Sequence, residues 1–190
     1  MARRWVRATG FFLLVAACTP TTDNRPAPPP ISTVAPVRLS VGSVEVASDA
    51  QYPTNMNFIG RRRSELLAEN AQNYLRSRLE AVGGADVAKA TVVEATIIER
   101  APDNPGGVLS TQPSWEMVGA LALKVAIVDG FGVEQGFASS RVQITRSISP
   151  RMGVEAKDNF SRTLSNDLIE AAGRELMQSI DRNLADRRAF

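Results

Sequence analysis

Residues 114–130, SWEMVGALALKVAIVDG, place Trp115, Met117, Leu121, Leu123, Val125 and Ile127 on one face, with Gly119 the single gap. A period of two marks a strand with one buried face, because successive side chains leave a sheet on opposite sides. Asp129-Gly130-Phe131-Gly132 supplies a tight reversal, and GFASSRVQITRSI (136–148) returns as its partner, with Val142, Ile144 and Ile148 inward. An isolated two-stranded ribbon is at best marginally stable in water. This chain must therefore bring more strands and something to cover them.

Two helical patterns answer that need. From about Val154 to Ala185 the apolar positions are Phe160, Leu164, Leu168, Ala172, Leu176, Ile180 and Leu184, widened by Ile169 and Met177. A four-residue step drifts about 40° per repeat on a 3.6-residue helix. Either that helix bends over a twisted sheet, or part of it faces a partner. A shorter helix is predicted from Ser64, with Leu67, Ala71, Tyr74, Leu75, Leu79 and Val82 as its stripe and Gly83-Gly84 as its stop.

The segment VRLSVGSVEV (37–46) reads as a first strand, with a bulge at Gly42 where the inward face switches from Val37, Leu39 and Val41 to Val44 and Val46. ATVVEATIIER (90–100) is β-branched and strand-like. Residues 49–63 and 102–113 read as irregular connections, the latter punctuated by Pro and Gly. The order β-α-β-β-β-α predicts an α/β (α+β) two-layer sandwich, about four mainly antiparallel strands with two helices packed on them. Its outer strands offer edges for docking.

With 44% hydrophobic residues but only 6% aromatic ones, the core must be largely aliphatic. A lone cysteine, Cys18, allows no internal disulfide, so that core must hold the fold by itself. Histidine is absent. That removes Ser-His-Asp and Cys-His nucleophile systems and His-ligated zinc. No Gly-rich phosphate loop with a following Lys-Ser/Thr occurs, and the glycines of GFGVEQG (130–136) are explained by the reversal. Neither a metal nor a cofactor is expected.

The beginning of the chain, MARRWVRATGFFLLVAAC, joins Arg3, Arg4 and Arg7 to an apolar run from Ala8 to Ala17 and then to Cys18. Ten apolar residues fall well short of the roughly 20 a membrane-spanning helix needs, so this is the layout of a secretory signal. Val15-Ala16-Ala17-Cys18 resembles the lipobox of bacterial lipoproteins, which are processed by a signal peptidase of type II. The resemblance implies cleavage between Ala17 and Cys18, diacylglycerol on the Cys18 thiol and acylation of the new amino terminus. General secretion is the expected route, although Arg3-Arg4 also resembles part of a twin-arginine signal. The resemblance also implies a cell-envelope address, and Thr19 in place of Asp favours the outer membrane, facing the periplasm.

Three segments follow: a signal peptide (1–17), a lipidated cysteine with a Pro/Thr-rich tether (18–36), and a single domain (37–190). Removing the leader leaves 19 basic against 20 acidic side chains. Charge then gives no case for nucleic acid. Extended proline-rich geometry lets the tether reach roughly 50 Å.

Candidate sites for chemistry are sparse. Glu94 and Glu99 on a strand, and Glu155, Asp158 and Asp167 on a helix, are the carboxylates to examine for paired acid–base work, although nothing in their spacing places two across a cleft. Arg61, Arg62 and Arg63 beside Phe58 and Ile59 form a candidate patch for anionic headgroups or phosphates; the alternative packs the apolar residues and leaves the arginines in water. The Val108-Leu109 tip and the terminal DRNLADRRAF (181–190) are weaker candidates, a frayed terminus being the ordinary expectation.

The reading that follows is a non-enzymatic, membrane-anchored component that assembles or stabilises an envelope complex through a protein partner. Its element order resembles that of the lipopolysaccharide-assembly lipoprotein that plugs an outer-membrane barrel. The alternative is a carrier of a lipid or other apolar ligand, which requires a cavity lined by residues such as Leu121, Leu123, Leu164 and Leu168.

Overall fold

A computed structural model describes residues 35–101 and 115–189. In chain order the elements are β1 (Val37–Leu39), β2 (Ser43–Ser48), α1 (Phe58–Arg78), β3 (Leu79–Ala81), β4 (Val87–Arg100), β5 (Trp115–Val128), β6 (Glu134–Ile148) and α2 (Val154–Asn183), with a 3₁₀ turn at Ala185–Arg187. Four strands form the main sheet in the order β2-β4-β5-β6, and β1 pairs with β3 in a smaller one. β2 lies parallel to β4, while β4–β5 and β5–β6 are antiparallel. Two helices cover this sheet, giving the expected two-layer α/β sandwich.

The hairpin forms as its alternation requires, pairing Trp115 with Ile148 at one end and Val128 with Glu134 at the other. Met117, Leu121, Leu123, Val125 and Ile127 are wholly buried beneath the helices. At Gly119 the missing side chain is a slot for α2: a Cβ there would lie 2.5 Å from Leu168 Cδ1 and 3.3 Å from Leu164 Cδ2. The drifting stripe of α2 stays inside along its length, since Leu164, Leu168, Ala172, Leu176, Ile180 and Leu184 are all buried. It tracks the twist of the sheet rather than leaving a face for a partner.

Three expectations are corrected. Segment 37–46 is not one bulged strand; it breaks at Ser40–Gly42 into β1 and β2, which belong to different sheets. Glycines explain the break. A Cβ on Gly42 would sit 2.7 Å from the Gly84 carbonyl oxygen, and one on Gly84 2.8 Å from that of Ser40, so two backbones cross in contact there.

Helix α1 begins at Phe58 rather than Ser64, because Asn57 Oδ1 accepts the Gly60 N–H at 2.7 Å and caps the helix seven residues before Ser64. It ends at Arg78 rather than at Gly83-Gly84, because Leu79–Ala81 leave it to pair with β1 as β3.

The chain end, expected to fray, adds to β1 instead. Ser40 N donates to Arg187 O at 2.7 Å, Ala189 N donates to Arg38 O at 3.0 Å, and Leu39 bridges Arg188 antiparallel. Arg187 pairs with Asp86 at 2.7 Å and Arg188 with Asp181.

Two poles result. At one, both helices begin, β4 and β6 end and β5 starts. At the other lie β1, β3, the 129–133 turn and the docked chain end. The chain enters the domain at this second pole, where Arg78 Nη1 donates to Ala35 O at 3.0 Å. The 21 residues of α1 put about 30 Å between the poles. Among the described residues no helix is long and apolar enough to cross a membrane.

Candidate functional site

The helix-start pole gathers most of the side chains that the sequence marks as candidates. Gly60-Arg61-Arg62-Arg63 has no apolar periodicity, yet the Asn57 cap winds it into the first turns of α1. Arg63 therefore points into the protein. Its side chain is only 8% exposed; Nη1 donates to Glu99 Oε1 at 2.6 Å and Nη2 to Asp158 Oδ1 at 2.8 Å. Lys157 Nζ holds the other Glu99 oxygen at 2.7 Å. The end of β4 and the starts of α1 and α2 are thus clamped by two cations and two carboxylates.

Next to the clamp, Ser64 is wholly buried: its hydroxyl donates to Gly60 O at 2.8 Å and accepts the Ile97 N–H at 2.9 Å. Since β2 ends its pairing at Val92, that hydroxyl satisfies a β4 donor that β2 does not reach.

Burial alone would raise the Glu99 pKa, but the hydrogen bonds and charges of Lys157 and Arg63 outweigh it and hold the carboxylate below its ordinary value. Burial would likewise lower the Arg63 pKa, and Glu99 and Asp158 reverse that. A general acid needs a raised pKa. Glu99 is held in the opposite sense, as a carboxylate paired with Arg63 and Lys157. Of the other candidate carboxylates, Glu94 pairs with Arg141 at 2.9 Å, Asp167 pairs with Arg146 at 2.7 Å, and Glu155 is exposed in the first turn of α2.

Above this ionic floor opens a cleft of about 400 Å³, walled by Pro53, Met56, Ile59, Ile98 and Val154. Of its walls Val154 is 69% exposed and Ile59 50%, while Phe58, 76% exposed, lines a separate groove on α1. Arg61 and Arg62 stand exposed on α1 with Leu66.

The expected patch therefore divides. Phe58, Ile59, Arg61 and Arg62 face solvent, whereas Arg63 belongs to the clamp and is corrected accordingly. The side chains of Phe58 and Ile59 do not pack under a loop. Sequence reasoning missed Val154 and Ile98, whose only signal was apolar character at the edge of an element, and Lys157, which carried none. Ala17, Cys18 and the Val108-Leu109 tip lie outside the described residues.

The interior proposed for a ligand is occupied. Leu121, Leu123, Leu164 and Leu168 are fully buried, and α2 reaches into the Gly119 slot.

No protein-family description and no curated protein matches the sequence. Several solved structures are similar in shape. The solution structure of uncharacterized lipoprotein B from Nitrosomonas europaea has a TM-score of 0.45 at 16% identity, covering 82% of this chain and 90% of that one. Rare lipoprotein B from Shewanella oneidensis has a TM-score of 0.41 at 15% identity, covering 74% and 94%. A minor lipoprotein from Acinetobacter baumannii has a TM-score of 0.39 at 14% identity, covering 80% and 98%.

Proposed function

We propose that this chain is a lipid-anchored, non-enzymatic envelope protein whose helix-start pole docks onto a protein partner on the periplasmic side of the outer membrane. The anchor is Cys18, acylated after cleavage behind Ala17. One observation carries the docking: large apolar side chains stand exposed together at this pole, Ile59 and Val154 on a cleft whose floor is held by the Arg63 clamp and Phe58 on a second groove along α1. Exposed aromatic and aliphatic anchors on a fixed frame suit a protein interface, and Arg61 and Arg62 add polar contacts at its edge.

The position is favourable too. The pole lies about 30 Å of helix beyond the point where the tether joins the domain, so the patch can face away from the lipid. A filled interior supports docking over the carrier reading.

A photo-crosslinking residue at position 58 of the acylated protein, activated in the native envelope, tests this. The expected product is one defined protein adduct that weakens when Arg61 and Arg62 are changed to Glu and is absent when the crosslinker sits at Gln143. Recovery of lipid alone would overturn docking in favour of a carrier.

A further inference from the structure

The most exposed large apolar side chain among the described residues, Phe131 at 95%, is not at the cleft. It caps the β5–β6 turn at the opposite pole. That turn is unusually self-contained. Asp129 Oδ1 accepts the N–H groups of Phe131 and Val133, both at 2.9 Å; Gly132 N donates to Asp129 O and Asp129 N to Val133 O, both at 3.0 Å. Four backbone donors that would otherwise need water are thus bonded inside the turn, which lowers the cost of entering a medium poor in water. Gly130 and Gly132 flank the ring and add no side chain, and a positive φ of 84° at Gly132 favours glycine there. Lys124 pairs with Glu134 at 2.7 Å, and the Asp129 carboxylate, which keeps its negative charge, accepts a further hydrogen bond from Gln135 Nε2 at 2.7 Å.

Connectivity gives this tip a neighbour. Val128 pairs with Val87 at the start of β4, the end of the sheet next to the close of α1. Ala35, held by Arg78 at that close, lies 17 residues after Cys18. Residues 19–36, 18 in number and rich in proline, are the expected link between the lipid on Cys18 and the domain. A single weak apolar contact then suffices to set the orientation, since tethering makes the second contact intramolecular.

We propose that Phe131 is a second membrane contact: the β5–β6 tip inserts its ring into the headgroup region of the bilayer that holds the Cys18 lipid, turning the helix-start pole away from that surface. The inference rests on the anchor proposed above. The turn itself, residues 129–133, carries one carboxylate and no cation, so a zwitterionic surface suits it better than an anionic one.

Trp115, at the far pole, is the one tryptophan that remains after the leader is removed, and it serves as an internal reference. The acylated protein would be placed in phosphatidylcholine–phosphatidylethanolamine vesicles with lipid brominated near the headgroup, as wild type and as Phe131→Trp with Trp115→Phe. Substituting one exposed aromatic for another leaves the fold unchanged, which circular dichroism checks. The expected result is blue-shifted emission and strong quenching at position 131, with Trp115 unquenched in the wild type. Protein that floats with the vesicles while position 131 stays unquenched, or while Trp115 is quenched instead, would overturn the contact and leave the anchor standing. Failure to float would overturn the anchor and the contact together.

Discussion

Removing the Arg63 side chain should cost far more than its place in a run of arginines suggests. In Arg63→Ala, Glu99, whose side chain is only 18% exposed, loses a charge-assisted bond of 2.6 Å. Such bonds contribute about 1.5–3 kcal/mol, and Lys157 keeps the carboxylate partly paired, so the lower half of that range applies. Asp158 is 48% exposed and rehydrates, so its share is a few tenths of a kcal/mol. The buried arginine stem adds on the order of 1 kcal/mol of lost packing. The expected total is about 3 kcal/mol, or a fall in Tm of roughly 10 °C for a domain of this size. Thermal melts of the detergent-solubilised acylated protein, followed by circular dichroism, measure it. Arg63→Lys should recover part of the loss, because a point charge reaches Glu99 but lacks the fork that also holds Asp158. A second signature is acid dependence. Glu99 has its folded pKa depressed, so its stabilisation is present above the unfolded value of 4.5 and is lost as pH falls through the lower folded value. Arg63→Ala should flatten that acid loss. A fall in Tm of less than about 3 °C, with an unchanged acid profile, would refute the clamp.

Other expectations follow from close contacts and from the chain ends. Gly119→Ala should destabilise by about 1–3 kcal/mol in chemical denaturation, since its Cβ would meet the buried Leu168. Gly173→Ala should destabilise by a similar amount, since its Cβ would lie 2.1 Å from the Tyr74 hydroxyl and 2.5 Å from Cζ, where the ring packs on buried Gly173. Deleting residues 185–190 removes two backbone bonds and the Arg187–Asp86 pair from the β1 side, with an expected loss of about 2–4 kcal/mol in the same assay. Asp129→Ala should speed amide exchange at Phe131 and Val133 while leaving the global melt unchanged. In the wild type the same acceleration should appear only in acid below the ordinary Asp value of 3.8, because the Val133 and Phe131 N–H groups hold that carboxyl below it.

The layered architecture was legible because alternation and helical stripes are local: Met117 to Ile127 and Leu164 to Leu184 fall inward as their spacing requires. What was not legible depends on partners distant in the chain. Arg63 reads as a surface residue until Glu99 and Asp158, 36 and 95 positions away, are brought to it. The division of the first strand depends on Gly84 facing Gly42 across a parallel crossing, which no local pattern encodes. The start of helix α1 is hidden from periodicity because a cap from Asn57 stabilises a turn that has no apolar stripe of its own. Exposed Phe58 and Val154 look like core residues in sequence; only the covering layers, which stop short of them, distinguish the two.

Mass spectrometry of the protein purified from its native envelope tests the anchor most directly. The account predicts an amino-terminal peptide that begins at Cys18 and carries diacylglycerol on sulfur and an acyl chain on nitrogen. A free Cys18 thiol, or residues 1–17 still attached, would contradict it.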